Sequence, residues 1–238
     1  MMTAGSYVLV PGATGTAWYW HRLDAELRAR GNDVAAVDLP ADDDNAGLTE
    51  YAGAITPVLQ GRDEAVLVAQ SMGAFSAPIA CMDADVSLLV LVNAMIPRPG
   101  ETPGEWWANT GQPEARRAND IREGRDPDAE TDLLTLFFHD VPQSVIGDAA
   151  ANERRQSDTP FGQPWPLAAW PDVPTRALTG RDDRLFPAGL QRRVAQERLG
   201  ITPDLMDGGH LVALSRPVEL ADRLEAYRAE NLAEARLR

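Results

Sequence analysis

Short apolar runs alternate along this chain with longer stretches in which apolar residues recur at helical spacing. Five such runs span residues 7–10, 34–37, 65–69, 88–92 and 176–178. Strands that are apolar on both faces are typical of a parallel sheet that helices cover on both sides. The amphipathic stretches near residues 20–30, 48–60 and 74–82 are the expected crossover helices. The pattern therefore predicts an α/β fold, with a mostly parallel sheet flanked by helices.

Residues from about 98 to 172 depart from this alternation and are rich in Pro, Trp and charged side chains. A loop of that length without secondary structure is uncommon in a compact domain. We therefore expect short helices in this stretch, for instance at residues 132–139 and 143–156. Near the carboxyl end, residues 212–227 show a further helical pattern.

A serine follows the third apolar run directly. Ser71 stands between Ala69 and Gly73, small residues two positions before and two positions after it. Small neighbours at these positions, between a strand and a helix, are typical of a nucleophile elbow, whose strained turn brings two backbones close together. The alternative is an ordinary tight turn with an idle serine, and the choice depends on whether catalytic partners follow downstream.

Candidate partners for the serine follow in the order acid, then histidine. The predicted strand that ends at Gly180 is followed by Asp182 and Asp183, and His210 lies on a Gly-rich loop further on. The chain has three histidines, and only His210 lies on such a loop downstream of an acid. The stretch between acid and histidine leaves room for one helix and one short strand.

These residue types suit nucleophilic catalysis. The Ser71 hydroxyl is a weak nucleophile until a base such as His210 takes its proton, and a carboxylate orients the resulting imidazolium. Backbone N–H groups stabilise the oxyanion, one from Met72 and one from the loop at residues 11–15 after the first strand. That loop carries neither a G-x-G-x-x-G pattern nor the lysine of a P-loop, so nucleotide binding is not expected.

Several segments together resemble the α/β-hydrolase superfamily. They are residues 7–13 with 17–20, residues 34–40, residues 93–100 and residues 209–217. The resemblance is strongest to the branch of small plant-type methylesterases, hydroxynitrile lyases and their bacterial relatives. The chain departs from that branch at Pro11, where members usually have His, and at Ala69, where they usually have Gly. Neither departure removes a reacting group.

The resemblance implies further assignments. It implies an α/β-hydrolase fold whose core comprises residues 1–97 and 173–238, with a small helical cap or lid insertion at residues 98–172. It favours Asp183 as the acid, because the family's acid lies three residues after the strand-ending glycine. Asp182 is then expected to pair with a nearby arginine or with solvent. Ala13 becomes the second oxyanion donor, beside Met72.

The absence of lysine excludes the lysine-assisted chemistry of the lyases in that branch. The lyases of that branch resemble this chain but carry a lysine where it has Leu211, and a threonine where it has Gly12. All 22 basic residues are arginine, so lysine-assisted cyanohydrin cleavage and Schiff-base formation are impossible. The prediction is therefore a serine hydrolase of the carboxylesterase type, which cleaves a small, largely apolar ester through an acyl-enzyme and needs no cofactor.

Composition bears on the size of the core, the partners and the location of the protein. A chain of 238 residues with 44% hydrophobic content can bury one large core. The net charge of −14 argues against nucleic acid and anionic membranes as partners. We expect no metal site, and the absence of a signal sequence or a membrane-length apolar stretch favours the cytoplasm. The sequence does not determine the oligomeric state, the physiological substrate, or whether the bond that is cleaved belongs to an ester, a thioester or a lactone.

Aromatic residues of the insertion are candidates to line an acyl or aryl pocket, or to anchor the cap to the sheet. Trp106, Trp107 and Phe137 are the leading ones, followed by Phe138, Phe161 and Trp165. Two other functions stay open at this point. Some proteins on this scaffold bind small ligands without turnover, and others act as cofactor-independent oxygenases, perhydrolases or cyclases.

Overall fold

In the computed structural model, which describes residues 4–129 and 132–237, six parallel strands form one sheet. The strands are β1 (Ser6–Val10), β2 (Asp33–Ala36), β3 (Ala65–Gln70), β4 (Val86–Val92), β5 (Thr175–Gly180) and β6 (Asp204–Met206). Their order across the sheet is β2-β1-β3-β4-β5-β6, and every pair is parallel. The predicted fold class is confirmed, and β6 occupies the place left for a short strand between acid and histidine.

Helices separate and follow the strands. They are α1 (His21–Ala29), α2 (Leu48–Leu59), α3 (Gly73–Ala80), α4 (Pro103–Thr110), α5 (Gln112–Arg122), α6 (Leu133–Phe137), α7 (Gln143–Ala149), α8 (Ala188–Leu199), α9 (Val212–Ser215) and α10 (Pro217–Ala235). Side chains alternate between the two faces of each strand, so β1 contributes to two cores. Val8 and Val10 belong to the cluster that includes α2, α3 and α8, whereas Tyr7 and Leu9 pack with α1, α9 and α10.

Two predicted helices differ from the structure. Residues 212–227 form α9 and the start of α10, which are separated at Arg216 because Pro217 has no backbone N–H and begins a new helix at its first position. The helix predicted at residues 143–156 ends at Ala149 and continues only as a 3-10 helix, Ala150–Asn152. Beyond it, Gln156 Oε1 accepts a hydrogen bond of 2.7 Å from the Thr14 N–H. The chain therefore leaves the helix to reach the loop after β1.

Helices α4 to α7 all lie between β4 and β5, and buried polar contacts attach this segment to the rest of the fold. The side chains of Glu101 and Arg198 are 4% and 2% exposed and form an ion pair, with Arg198 Nη2 lying 2.9 Å from Glu101 Oε1. Trp165 Nε1 donates to the Phe75 carbonyl of α3 at 3.1 Å. Among the residues that the structure describes, no helix is long and apolar enough to span a membrane.

Candidate active site

Ser71 occupies the turn between β3 and α3 in a conformation that L-residues rarely adopt. Its φ is +51°, in the left-handed region, and the residue is 7% exposed. Neighbouring backbone fixes the turn: the Ser71 N–H donates to the Val92 carbonyl at 3.1 Å, and the Met95 N–H donates to the Ser71 carbonyl at 3.0 Å. Backbone strain of this kind persists only where surrounding structure holds it, and it is the geometry of a nucleophile elbow.

The loop after β1 packs directly against this turn. A Cβ atom added to Gly12 would lie 2.8 Å from the Ser71 Cβ, and one added to Gly73 would lie 2.6 Å from the Pro11 carbonyl oxygen. Only glycine permits both approaches, because real Cβ atoms do not come so close. Gln156 also contacts this loop, through the hydrogen bond from Thr14 described above.

The two predicted oxyanion donors lie on this loop and this turn. Ala13 is exposed, and Met72 is buried at the start of the turn into α3. Within residues 4–129 and 132–237, neither backbone N–H has a hydrogen-bond partner. Unpaired N–H groups close to a serine can accept the negative charge that develops on a carbonyl oxygen under attack.

Asp183 and His210 form a buried pair. His210 Nδ1 lies 2.8 Å from Asp183 Oδ2, and the residues are 2% and 1% exposed. The other carboxylate oxygen, Oδ1, accepts hydrogen bonds from the Leu185 and Phe186 N–H groups at 2.9 and 2.8 Å. Because β5 ends at Gly180, the acid lies on the loop that leads into α8. Contacts at both carboxylate oxygens fix its orientation.

Asp182 is exposed to solvent, as expected, and it also binds the histidine loop. Its Oδ2 accepts a hydrogen bond of 3.2 Å from the Gly208 N–H, on the loop that carries His210. Arg181 pairs with Asp207 instead, at 3.1 Å. Asp182 therefore binds the histidine loop instead of a neighbouring arginine. The Asp182 carboxylate reaches the backbone of that loop because the end of β5 packs tightly against the loop's glycines.

Ser71 and His210 come together through neighbouring residues. Gln70, the residue before the serine, donates from Nε2 to the His210 carbonyl at 3.4 Å. The Ser71 hydroxyl makes no hydrogen bond to any residue that the structure describes. Catalytic hydrogen bonds are commonly long in the free enzyme and tighten when substrate binds. The arrangement can therefore supply a nucleophile, a base and an orienting acid.

Aromatic rings stand edge-on to the imidazole of His210. The Phe137 ring, from α6, lies 5.5 Å from it, and the Phe186 ring lies 5.0 Å from it, at interplanar angles of 74° and 85°. Sequence reasoning missed Phe186, although its position three residues after Asp183 already put it beside the acid. Such rings exclude water from the imidazole and present an apolar surface.

Trp106 and Trp107 occupy different environments. Trp106 is 1% exposed, and its Nε1 donates to the Ile96 carbonyl at 3.0 Å. Trp107 is only partly buried and its ring lies 5.4 Å from that of Phe186. Both rings adjoin Phe186, Trp106 at 4.9 Å and Trp107 at 5.4 Å, so the two tryptophans differ in burial: Trp106 lies in the core and Trp107 nearer the surface.

Two buried polar atoms near the histidine loop have no hydrogen-bond partner among the residues that the structure describes. They are His139 Nε2 and Asp140 Oδ1, whereas Asp140 Oδ2 accepts from the Gly209 N–H at 2.8 Å. Burial lowers the pKa of His139, and the nearby Arg184 lowers it further. No group of three or more His, Cys, Asp or Glu side chains in the described part of the chain could hold a metal ion.

Comparison with known proteins identifies related sequences. The sequence profile of the alpha/beta hydrolase family matches residues 7–223. Methylesterase 7 of Arabidopsis thaliana is 34% identical over 110 residues, which are 41% of this chain and 42% of the methylesterase, so the match spans about two fifths of that relative's length. Norfluorocurarine synthase 1 of a Strychnos species is 23% identical over 92% of this chain and 93% of its own.

Solved structures share the fold. The crystal structure of a pyrethroid hydrolase from Sphingobium faniae JZ-2 superposes with a TM-score of 0.76 at 23% identity, covering 95% of this chain and 98% of that one. Similarity at this level of identity concerns the arrangement of the strands and helices.

Proposed function

The chain belongs to the alpha/beta hydrolase family, and we propose that it is a serine carboxylesterase that cleaves a small, largely apolar ester through an acyl-enzyme. The observation that carries the proposal is the buried His210–Asp183 pair on the loops beside the strained turn of Ser71. The similarity to a plant methylesterase supports ester hydrolysis as the reaction class.

The proposed reaction has two halves. His210 takes the proton of the Ser71 hydroxyl as its oxygen attacks the ester carbonyl, and Asp183 stabilises the imidazolium. The Ala13 and Met72 N–H groups hold the oxyanion of the tetrahedral intermediate. Its collapse breaks the bond to the alkoxy group, which leaves as the alcohol with the proton from His210. Water, activated by the same imidazole, then releases the acid from Ser71.

The preference for an apolar ester follows from the rings around the imidazole. Phe137 and Phe186 stand edge-on to the His210 imidazole, and Trp107 adjoins Phe186. We propose that residues 98–172 act as a cap that supplies Phe137 and Trp107 to the pocket. Apolar walls with few polar groups bind apolar substituents and leave the polar contacts to the reacting carbonyl.

The test is pre-steady-state hydrolysis of p-nitrophenyl esters of increasing chain length, with labelling by a fluorophosphonate. We expect a burst of p-nitrophenol equal to the enzyme concentration and a label on Ser71 that blocks turnover. The matched control is Ser71→Ala, which should show neither. Turnover that persists after stoichiometric labelling of Ser71, or its loss on addition of a chelator, would contradict the proposal.

A second candidate function comes from the relative that matches over nearly its whole length, which is named a synthase rather than an esterase. On that alternative the same pocket performs a different reaction, or binds a ligand without turnover, and no burst appears with any activated ester. Location in the cytoplasm, a reaction without cofactor, and the absence of nucleic-acid and membrane partners stay predictions of the sequence.

A further inference from the structure

Asn93 lies where three parts of the site meet. It follows β4 directly, with a φ of +46°, in the left-handed region that asparagine tolerates better than most residues. Its N–H donates to the Leu178 carbonyl of β5 at 3.0 Å, and the preceding residue, Val92, accepts the hydrogen bond from the Ser71 N–H. The Asn93 side chain is completely buried.

Every hydrogen-bonding group of the Asn93 amide is used. Its Nδ2 donates to the Gly209 and His210 carbonyls, both at 3.0 Å. Its Oδ1 accepts from the Gly180 N–H at 2.7 Å and from Gln191 Nε2 at 3.4 Å. One side chain therefore joins the loop of the base to the end of the strand that carries the acid.

Gln191, on α8, extends this contact to the acid itself. Besides Asn93 Oδ1, its Nε2 lies 3.3 Å from Asp183 Oδ2 and donates to the Phe186 carbonyl at 3.0 Å. Asp183 Oδ2 is the same oxygen that contacts the imidazole. Gln191 is 7% exposed, and its Oε1 accepts from the Thr179 hydroxyl at 3.3 Å.

We infer that Asn93 is a positioning residue, which together with Gln191 sets the place of His210 relative to Ser71 and Asp183. The inference rests on the proposed esterase function. Asn93 holds both carbonyls at the base of the histidine loop, and its own backbone continues from the residue that binds the Ser71 N–H. A small misplacement of the imidazole costs rate because proton transfer needs close, aligned atoms.

The test is the Asn93→Gly variant, since glycine tolerates the left-handed backbone and lacks the side chain that carries the amide. We expect kcat and the rate constant of the acylation burst to fall up to about 100-fold, with KM unchanged and the burst still equal to the enzyme concentration. The matched control is Asn231→Ala. Asn231 is also nearly buried and donates to a carbonyl of β4, that of Ser87 at 2.9 Å, but at the opposite end of the strand.

Asn231→Ala should lower thermal stability and leave kcat unchanged. A folded Asn93→Gly enzyme that acylates at the wild-type rate would overturn the inference and leave the esterase function intact. If that variant does not fold, Gln191→Met decides the matter, because it removes the donor to Asp183 at similar volume: loss of kcat at constant KM supports the inference, and an unchanged kcat overturns it. A wild-type enzyme without a burst would instead refute the esterase function.

Discussion

The imidazole of His210 contacts Asp183, 2.8 Å away, and not the adjacent Asp182, whose carboxylate binds the Gly208 N–H. We therefore predict that Asp183→Asn preserves the fold and lowers kcat by up to about 10⁴, as the corresponding change does in serine proteases, because the imidazole is held in the wrong tautomer. Asp182→Asn should cost far less. Both variants are measured with one p-nitrophenyl ester at saturation.

Circular dichroism and thermal melting of both variants control for misfolding. A larger loss of kcat at Asp182 would reassign the acid. If kcat is nearly unchanged in both, His210 works without a carboxylate partner, and the assignment of the acid is wrong.

Substitution of Gly12 should disturb the oxyanion loop. In Gly12→Ala the new methyl group would lie 2.8 Å from the Ser71 Cβ, so the loop must move away from the serine. We expect slower labelling of Ser71 by fluorophosphonate and a lower kcat. The control is Gly53→Ala, in the interior of α2 with no atom within 4 Å of the added Cβ, which should raise stability by about 0.5–1 kcal/mol and leave the labelling rate unchanged. Equal labelling rates in both variants would contradict a tight loop.

Local patterns predicted most of what depends on neighbouring residues. The apolar runs located five strands, and small residues around Ser71 indicated its turn. Both signals lie within one segment, because a buried strand needs apolar residues and a tight turn needs small ones. Contacts that no motif marks were not predictable. Nothing local shows that Asn93 binds the histidine loop or that Gln156 holds the loop after β1, since each contact depends on how separate elements pack.

The two neighbouring tryptophans of α4 should respond differently to truncation. Trp106→Ala removes a buried ring and one of the two hydrogen bonds to the Ile96 carbonyl, the other being donated by Arg198, so we expect a loss of about 3–5 kcal/mol in the free energy of unfolding. Trp107→Ala should cost less stability and change the relative kcat/KM values among acyl chain lengths, because this ring is only partly buried while it adjoins Phe186 near the imidazole. Urea denaturation and a panel of esters measure both. If Trp107→Ala lowers kcat/KM equally for every ester, Trp107 also anchors the insertion to the core and does not select among substrates.

The buried ion pair between Glu101 and Arg198 should stabilise the attachment of the insertion. Glu101→Ala leaves the guanidinium buried without its carboxylate, so the expected loss is about 3–5 kcal/mol in the free energy of unfolding. The control is Glu234→Ala, which breaks the more exposed pair with Arg176 and should change stability little. Comparable midpoints of urea denaturation for the two variants would show that the buried pair contributes no more than the exposed one.

The stability of the fold should fall on acidification through His139. Burial and the neighbouring Arg184 lower the pKa of this half-buried histidine, and the charges of Asp140 and Asp182 only partly oppose them. The folded protein therefore favours the neutral imidazole. As the pH falls below about 6.5, the ordinary pKa of histidine, His139 takes up a proton in the unfolded chain before it does so in the folded protein. The stability that the neutral imidazole contributes above this pH is therefore lost progressively, until the pH reaches the lowered pKa of the folded state.

Thermal melting between pH 7.5 and 5 measures this loss. His139→Gln removes the titrating group, so its melting temperature should fall less over this range than that of the wild type. Arg184→Gln provides a second, independent variant: removal of the repelling cation brings the pKa of His139 back toward its ordinary value and should also reduce the decline. If the melting temperatures of all three proteins fall by the same amount between pH 7.5 and 5, His139 does not couple protonation to folding. Neither the titrating group nor the neighbouring cation then affects the pH dependence.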